Sequence, residues 1–366
     1  MTALIRRNDS LKAILLTCLL VGLSLGFHSC RWPVRSSHPP APAVVSDTRF
    51  NALFSSQGPG WTGGDAAQSV SLPDGSTLWL FGDSFLGRVR PNGSRSPLSP
   101  MVRNCLVLQK GDHLTTLHGG QVDAPSAFFS AESPSQWYWP GDGVIENHRV
   151  RVFLHRFSQQ SPGMWGWKWE GTGIASLAYP SLDLEAIDPL EWDNGVLYGV
   201  ALLETRHYTY VYGTKDNGEE PVAHVARAPR GDLGGSWSFW DGSGWSSHPA
   251  SSRGIVNGVS VQYGVAAWRN GGFALITMDR RQPFSPDLVL YLSPEPQGAW
   301  SGPFPLYRAP EAEGDVAAYN PSVHPQFTVA GRLLVSYNLN HVSNPDALYL
   351  DATIYRPRFL RVEVPQ

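Results

Sequence analysis

Short runs of branched and aromatic residues, each closing on a polar cluster, recur along the chain. They begin at residue 78 (LWLFGDSF), 150 (VRVFLHRF), 208 (YTYVYGTK), 273 (FALITMDR) and 333 (LLVSYNLN), at intervals of 72, 58, 65 and 60 residues. Each is preceded by a turn signal (PDG, ENH, ETRH, RNGG or VAGR) and, before that, by another apolar run, so each unit opens with a hairpin. Two further strand candidates follow in each unit, among them VRNCLVLQ, GIASLAYP, AHVARAP, DLVLYLS and ALYLDATIY. Five units of about four antiparallel strands predict an all-β, five-bladed β-propeller. A β-sandwich rarely repeats a unit of this size five times, and the coils of a β-helix are far shorter. Propellers close by pairing the two chain ends, so a segment within residues 44–57 is expected to complete the last blade.

The turn chemistry of the first hairpin fixes its register. Leu72-Pro73-Asp74-Gly75-Ser76 fits a three-residue loop, with Pro at the second position of a type I turn and Gly in the left-handed position that makes a bulge. Leu72 then pairs with Ser76, and counting outward sets Asp65 directly opposite Asp83 on one face. Opposed side chains have Cβ atoms ~5 Å apart, where like charges repel. Repulsion raises one pKa and leaves the other group ionised, the division of labour that cleavage of a glycosidic bond requires. The plainer reading is that both aspartates cap turns. In the second unit Pro140-Gly141-Asp142 stands where Gly63-Gly64-Asp65 stands in the first, so Asp142 is expected to face the same funnel. There it would tune a neighbour or hold a hydroxyl, unless it only shapes a turn. His155, Arg156, Asp279, Arg280, Asn338 and Asn340 end the second strands of their units and are expected near the rim, most of them in hydrogen-bonding or structural roles, with His155, Arg156 and Asp279 as supporting or substrate-binding candidates.

Composition agrees with many short strands and tight turns: 37 Gly, 30 Pro, 11% aromatic and only 16% charged residues among 366. The net charge of -3 and the lack of a basic run argue against nucleic acid. Residues 1–30 read as an export signal, with Arg6, Arg7 and Lys12 ahead of an apolar stretch from Leu11 to Phe27. Ser29-Cys30 resembles a lipoprotein cleavage box with Cys30 acylated; ordinary cleavage and an uncleaved anchor are the alternatives. All three place the domain outside the cytoplasm, periplasmic, surface-bound or secreted, with membrane contact only through that segment. The Pro- and Ser-rich residues 31–44 read as a tether, leaving 45–366 as the propeller. Cys105 is the one cysteine of that domain, so no disulfide is available within it.

Fourteen Trp residues supply flat faces for sugar rings, although most are expected to pack between blades. Trp139, beside the PGD turn, is placed in the funnel, with Tyr319, Asn320 and His324 as further substrate contacts. No HExxH, CxxC or close His/carboxylate spacing supports a metal, and no glycine-rich strand-to-helix loop supports a nucleotide, so no cofactor is expected. Ser84 in Gly-Asp-Ser mimics an esterase nucleophile, but that chemistry needs a strand-to-helix turn and a later Asp-x-x-His, which the chain lacks.

The segments GWTGGDAAQSVSLPDGSTLWLFGDSFLG, YWPGDGVIENHRVRVFLHR, AYNPSVHPQF and GRLLVSYNLN together resemble exported bacterial propeller proteins related to endo-D-arabinanases, and through them the wider five-bladed propeller glycoside hydrolases. The resemblance spans most of residues 58–363 and is sharpest at the GGD and FGD pair. It implies a carbohydrate polymer or oligosaccharide as partner, hydrolysis of arabinan-like furanosidic linkages, and Asp65 and Asp83 as the catalytic pair. Aspartates that only hydrogen-bond sugar hydroxyls would equally serve a noncatalytic lectin or scaffold.

Overall fold

In a computed structural model of the protein, the described residues are 42–363 except 217, 219, 269 and 270. The expected signal and residues 31–41 of the expected tether lie outside them. The fold is all-β; the described residues include short helices at Thr48–Leu53 and Ala347–Leu350 and a 3-10 turn at Pro249–Ser251. Five antiparallel sheets of four or more strands follow one another along the chain, with two smaller sheets beside them among the described residues. The first comprises Gln68–Ser71, Thr77–Phe81, Cys105–Lys110 and His113–Leu117, and its leading hairpin is prolonged by a small sheet of Trp61–Gly64, Ser84–Leu86 and Met101–Val102. The second runs through Gln136–Glu146, Arg149–Gln159, Trp167–Ala178 and Leu184–Pro189.

The third begins with Leu197–Glu204, Tyr208–Lys215 and Val222–Pro229, and adds three short strands from the 238–257 region. This six-stranded sheet departs from the expected four. The fourth holds Gly264–Ala267, Phe273–Met278, Asp287–Ser293 and Ser301–Arg308. In the fifth, Val316–Val329, Arg332–His341 and Arg358–Glu363 are joined at the outer edge by Ala43–Ser46, antiparallel to Arg358–Glu363. Both chain ends therefore share one sheet. Ala43 and Val44, assigned to the tether by their Pro-rich surroundings, pair with Glu363 and Val362 instead.

Both faces of each sheet are covered by neighbours, which is why the strands read as near-continuous apolar runs. Alternate side chains serve opposite gaps. Leu78 and Leu80 pack with Val150 and Val152 between the first and second sheets, whereas Trp79 and Phe81 pack with Leu334 and Phe359 between the fifth and first. Equivalent cores fill the other gaps: Phe153 with Val211, Tyr212 with Leu275, and Ile276 with Val335. Cys105, a buried free thiol, belongs to the fifth–first core. The leading strands of the five sheets touch in cyclic order, first to second and onward, with the fifth returning to the first. They surround a central cavity of about 340 Å³ that takes Gln68, Asp142, Leu202, Val265 and Val323 from the five sheets in turn.

Candidate active site

The Pro73-Asp74-Gly75 bend has the expected hydrogen bonds. Leu72 N–H donates to the Ser76 carbonyl at 2.9 Å, Gly75 N–H donates to the Leu72 carbonyl at 3.0 Å, and Gly75 has φ +80°. Register follows from it. Gln68 pairs with Leu80 and, beyond a break, Gly64 pairs with Ser84, the same count on both sides. Asp65 thus lies across from Asp83, with Gly82 N–H donating to the Asp65 carbonyl at 3.0 Å. Ala66 and Ala67 adopt φ 73° and 48°, which interrupts the strand just after Asp65. Glycine at 82 is a requirement of the site, because a Cβ there would sit 2.5 Å from Asp65 Oδ1.

The two carboxylates are held by different partners. Asp83, only 8% exposed, accepts from Trp139 Nε1 at 2.8 Å through Oδ1 and from the Arg103 guanidinium at 3.0 Å through Oδ2. Burial raises its pKa, while the charge of Arg103 and the Trp139 bond pull it back. Asp65 accepts from the Tyr319 hydroxyl at 2.9 Å and also from Tyr355, and among the described residues no cation pairs with it. Burial first, then the negative charge of Asp83, pushes Asp65 up to about 7 against those hydroxyl bonds. One acid therefore keeps its proton to near neutrality; the second, also raised by burial, has a guanidinium and an indole N–H that favour its anion. Such a pair can donate a proton on one side of a bond and attack or activate water on the other.

The other expected site residues divide. Trp139 and Tyr319 sit at the carboxylates, and Asn340 hydrogen bonds the Tyr319 hydroxyl. Asn320 has φ 46° at a bulge, and its carbonyl accepts from Asn338 Nδ2 at 3.2 Å, which shapes the strand that presents Tyr319. Asp142 lines the central cavity, with Oδ1 accepting from Gly143 N–H and Oδ2 from Leu202 N–H, both at 2.8 Å. It ties the second sheet to the third and is not among the main causes shifting Asp65 or Asp83, contrary to the expected tuning role.

His155 and His324 are corrected as well. His155 is buried against the Tyr198 carbonyl at 3.0 Å, which suits a structural role but not a place on the rim. His324 is fully buried between Ser69 Oγ at 2.7 Å and Ser336 Oγ at 2.9 Å and packs on Trp79, so it braces sheets and reaches no substrate. Burial lowers the pKa of the two rings to about 4 and about 3, so both remain neutral. Asp279 is spent on an ion pair with Arg281 at 2.6 Å, and Arg280 covers the Phe284 ring. Arg156 lines a separate cavity over the second sheet. Ser84 is fully buried, donating to the Gly82 carbonyl at 2.8 Å, and is no nucleophile.

Arg103 and Tyr355 were not anticipated. Arg103 stacks 4.3 Å from the Trp137 ring and faces Asp83 by the register that joins Phe81 to Cys105 and Ser84 to Val102. The link between those strands crosses residues 87–100, too long for turn chemistry to set a register. Tyr355 comes from the irregular segment after the fifth sheet's second strand, with φ 67°, and its carbonyl is pinned by Gly64 N–H at 2.8 Å. Among the described residues, no group of three His, Cys, Asp or Glu is arranged to hold a metal.

Comparison with solved structures shows similarity to a protein from Bacteroides ovatus ATCC 8483 that carries a provisional hydrolase assignment. The identity is 24%, the TM-score 0.75, and the match covers 90% of this chain and 93% of that one. A family 117 glycoside hydrolase of the marine bacterium Zobellia galactanivorans is similar at 11% identity and TM-score 0.49, over 88% and 90% of the two chains. A GH43 enzyme from Xanthomonas citri is similar at 12% identity and TM-score 0.46, over 89% and 90%. These likenesses concern the fold. No curated protein matches the chain. A family model matches residues 47–364, and the chain belongs to that family, described as domain of unknown function DUF5005.

Proposed function

We propose that this protein is a glycoside hydrolase in which the five sheets act as the blades of a five-bladed propeller, with Asp65 as general acid and Asp83 as base or nucleophile. The observation that carries this reading is the asymmetric pair: two carboxylates opposed across one hairpin, one lifted to about 7, the other bound to Arg103 and Trp139. A lone buried aspartate would be neutralised or paired; two opposed carboxylates with different partners, one cationic and one not, are an arrangement that can split acid from base. Trp139, only partly buried, lies beside the pair and can offer part of its ring to a sugar, while Trp137, buried under the Arg103 guanidinium, packs behind it. The substrate class is a polysaccharide, with arabinan-like furanosidic linkages the first to examine. The N-terminal sequence supports an exported protein meeting such polymers outside the cytoplasm.

The test is reducing-end release from arabinan and a panel of other cell-wall glycans, comparing the soluble domain with its Asp83→Asn variant. Release by the parent and loss in the variant supports the proposal. Equal release from both, or retained binding with no release by either, overturns it in favour of a binding protein.

A further inference from the structure

We infer that Arg95 and Arg356 are positioning residues for the carboxylate pair: their buried guanidiniums close on the Thr62 carbonyl and hold the Gly63-Gly64-Asp65 segment so that Asp65 stays opposite Asp83. Arg95 Nη2 donates to that carbonyl at 2.9 Å and Arg356 Nε at 2.8 Å. The inference rests on the reading that the two aspartates act together, but its test reads the place of Asp65 without any substrate.

The sheet alone gives Asp65 little support. On one side Ala66 and Ala67, with positive φ, interrupt the strand. On the other, the ladder with Ser84–Leu86 slips between Trp61 and Gly63, a bulge at Thr62 of the kind that re-aims side chains beside active sites. Only Gly63 and Gly64 stay paired between the two breaks, with Phe85 and Ser84. The anchors come from elsewhere in the chain. Arg95, on the 87–100 link, also donates to the Leu348 and Ala352 carbonyls and lies 4.5 Å from the centre of the Phe85 ring. Arg356 also donates to the Ser56 carbonyl at 2.6 Å. Tyr355, its chain neighbour, gives its hydroxyl to Asp65 and accepts from Gly64 N–H through its carbonyl. One clamp therefore fixes both the carboxylate and one of its donors.

Two observations separate this clamp from ordinary packing. Arg95 and Arg356 are 1% and 5% exposed, and their side-chain hydrogen bonds among the described residues all go to carbonyl oxygens. Burial first, then a neighbouring guanidinium, lowers both to about 10. Burying two cations on carbonyls alone is costly, and the planar fork of arginine is the group that ties several segments together in fixed geometry. The second observation is Gly63, whose φ is not positive, so its backbone does not require glycine. A Cβ there would lie 2.3 Å from Arg95 Nη2 and 2.7 Å from the Tyr355 carbonyl oxygen. The first glycine of Gly-Gly-Asp is thus the space that the clamp occupies. Neither arginine is among the main causes that shift Asp65, so the pair acts on it through position rather than charge.

The test titrates the protein labelled at its aspartate carboxyl carbons, after thermal melting has shown each variant to be folded. Asp83 and the hydroxyls of Tyr319 and Tyr355, the side chains that act on Asp65, are kept throughout. In Arg95→Met and Arg356→Met, Asp65 relaxes away from Asp83 and toward water, so its transition is expected about one pH unit below its place near 7 in the parent. Loss of a cation acting through space would move it upward instead, since a positive charge favours the carboxylate. Gly63→Ala keeps both charges but crowds Arg95, and the same downward move is expected; it carries the test where loss of a buried arginine prevents folding. Arg95→Lys, which keeps the charge without the fork, is expected between Arg95→Met and the parent. On a glycan that the parent cleaves, kcat is expected to fall about 10²-fold with KM kept, the effect of displacing a reacting group by ~1 Å. If the parent cleaves none, the hydrolase reading fails and the titration still decides the clamp. An Asp65 transition that stays in place or rises in the folded variants overturns the assignment, as does an unchanged kcat.

Discussion

Asp65 and Asp142 each directly follow a glycine on the leading arm of successive hairpins, and each is raised to about 7, first by burial, yet they do different work. Both oxygens of Asp142 are taken by backbone N–H groups, one from its own sheet and one from the next. Gly141, beside it, allows the third sheet to approach: a Cβ there would lie 2.3 Å from the Gly199 carbonyl. Asp65 instead meets the hydroxyls of Tyr319 and Tyr355 and its own backbone N–H, with no bond to a neighbouring sheet's backbone among the described contacts, and faces a second carboxylate. Backbone partners cannot turn away or give up a proton, so they make a brace. Side-chain partners and an opposing charge leave the proton transferable. A raised proton affinity is thus no mark of chemistry by itself; the kind of partner decides.

The largest expected effect separates the two directly. Asp65→Asn or Asp83→Asn should lower glycan cleavage about 10²–10⁴-fold, the usual contribution of acid–base catalysis, with the melting temperature nearly unchanged. Asp142→Ala should do the reverse: it leaves two buried N–H groups without acceptors and costs about 2–5 kcal/mol in denaturant unfolding, while the rate per folded molecule is kept.

Next comes the pH dependence of stability. Asp142 has its affinity raised from 3.8 to about 7, so between those values the folded chain holds a proton that the unfolded chain has lost. That contribution is fully present below about pH 4 and is lost as pH rises through 7. Unfolding midpoints should therefore fall from pH 5 to pH 8, and Asp142→Asn should flatten the slope. Arg103→Gln should act more weakly, since Arg103 is 46% exposed at its side chain. Without its charge Asp83 takes up a proton more readily, and the acidic limb of the pH–rate profile moves upward. Tyr319→Phe is expected to be smallest: it removes a donor that favours the Asp65 anion, so the alkaline limb moves slightly higher.

Much of this was legible in the chain. The Pro73-Asp74-Gly75 bend fixed a register by local sterics, and that register carried through to Asp65 and Asp83 although two residues with positive φ interrupt the strand between. Apolar runs located the sheets for the same local reason. His155 and His324 were misplaced because strand ends alone do not reveal which side chain is swallowed by the next sheet; that depends on neighbours 43 and 255 residues away. Arg103 and Tyr355 escaped for a related reason, since loops without periodicity deliver them to the site. The extra strands of the third sheet are only two or three residues long, too short to show a period.

The decisive measurement is a carboxyl-carbon NMR titration of the domain labelled at aspartate, in the parent and in Asp83→Asn. Removal of the opposing charge should bring the Asp65 transition from near pH 7 to a lower value while that of Asp142 stays where it was. An Asp65 transition that does not move, or one that already lies in the ordinary range in the parent, would contradict the claim that the two acids share a site.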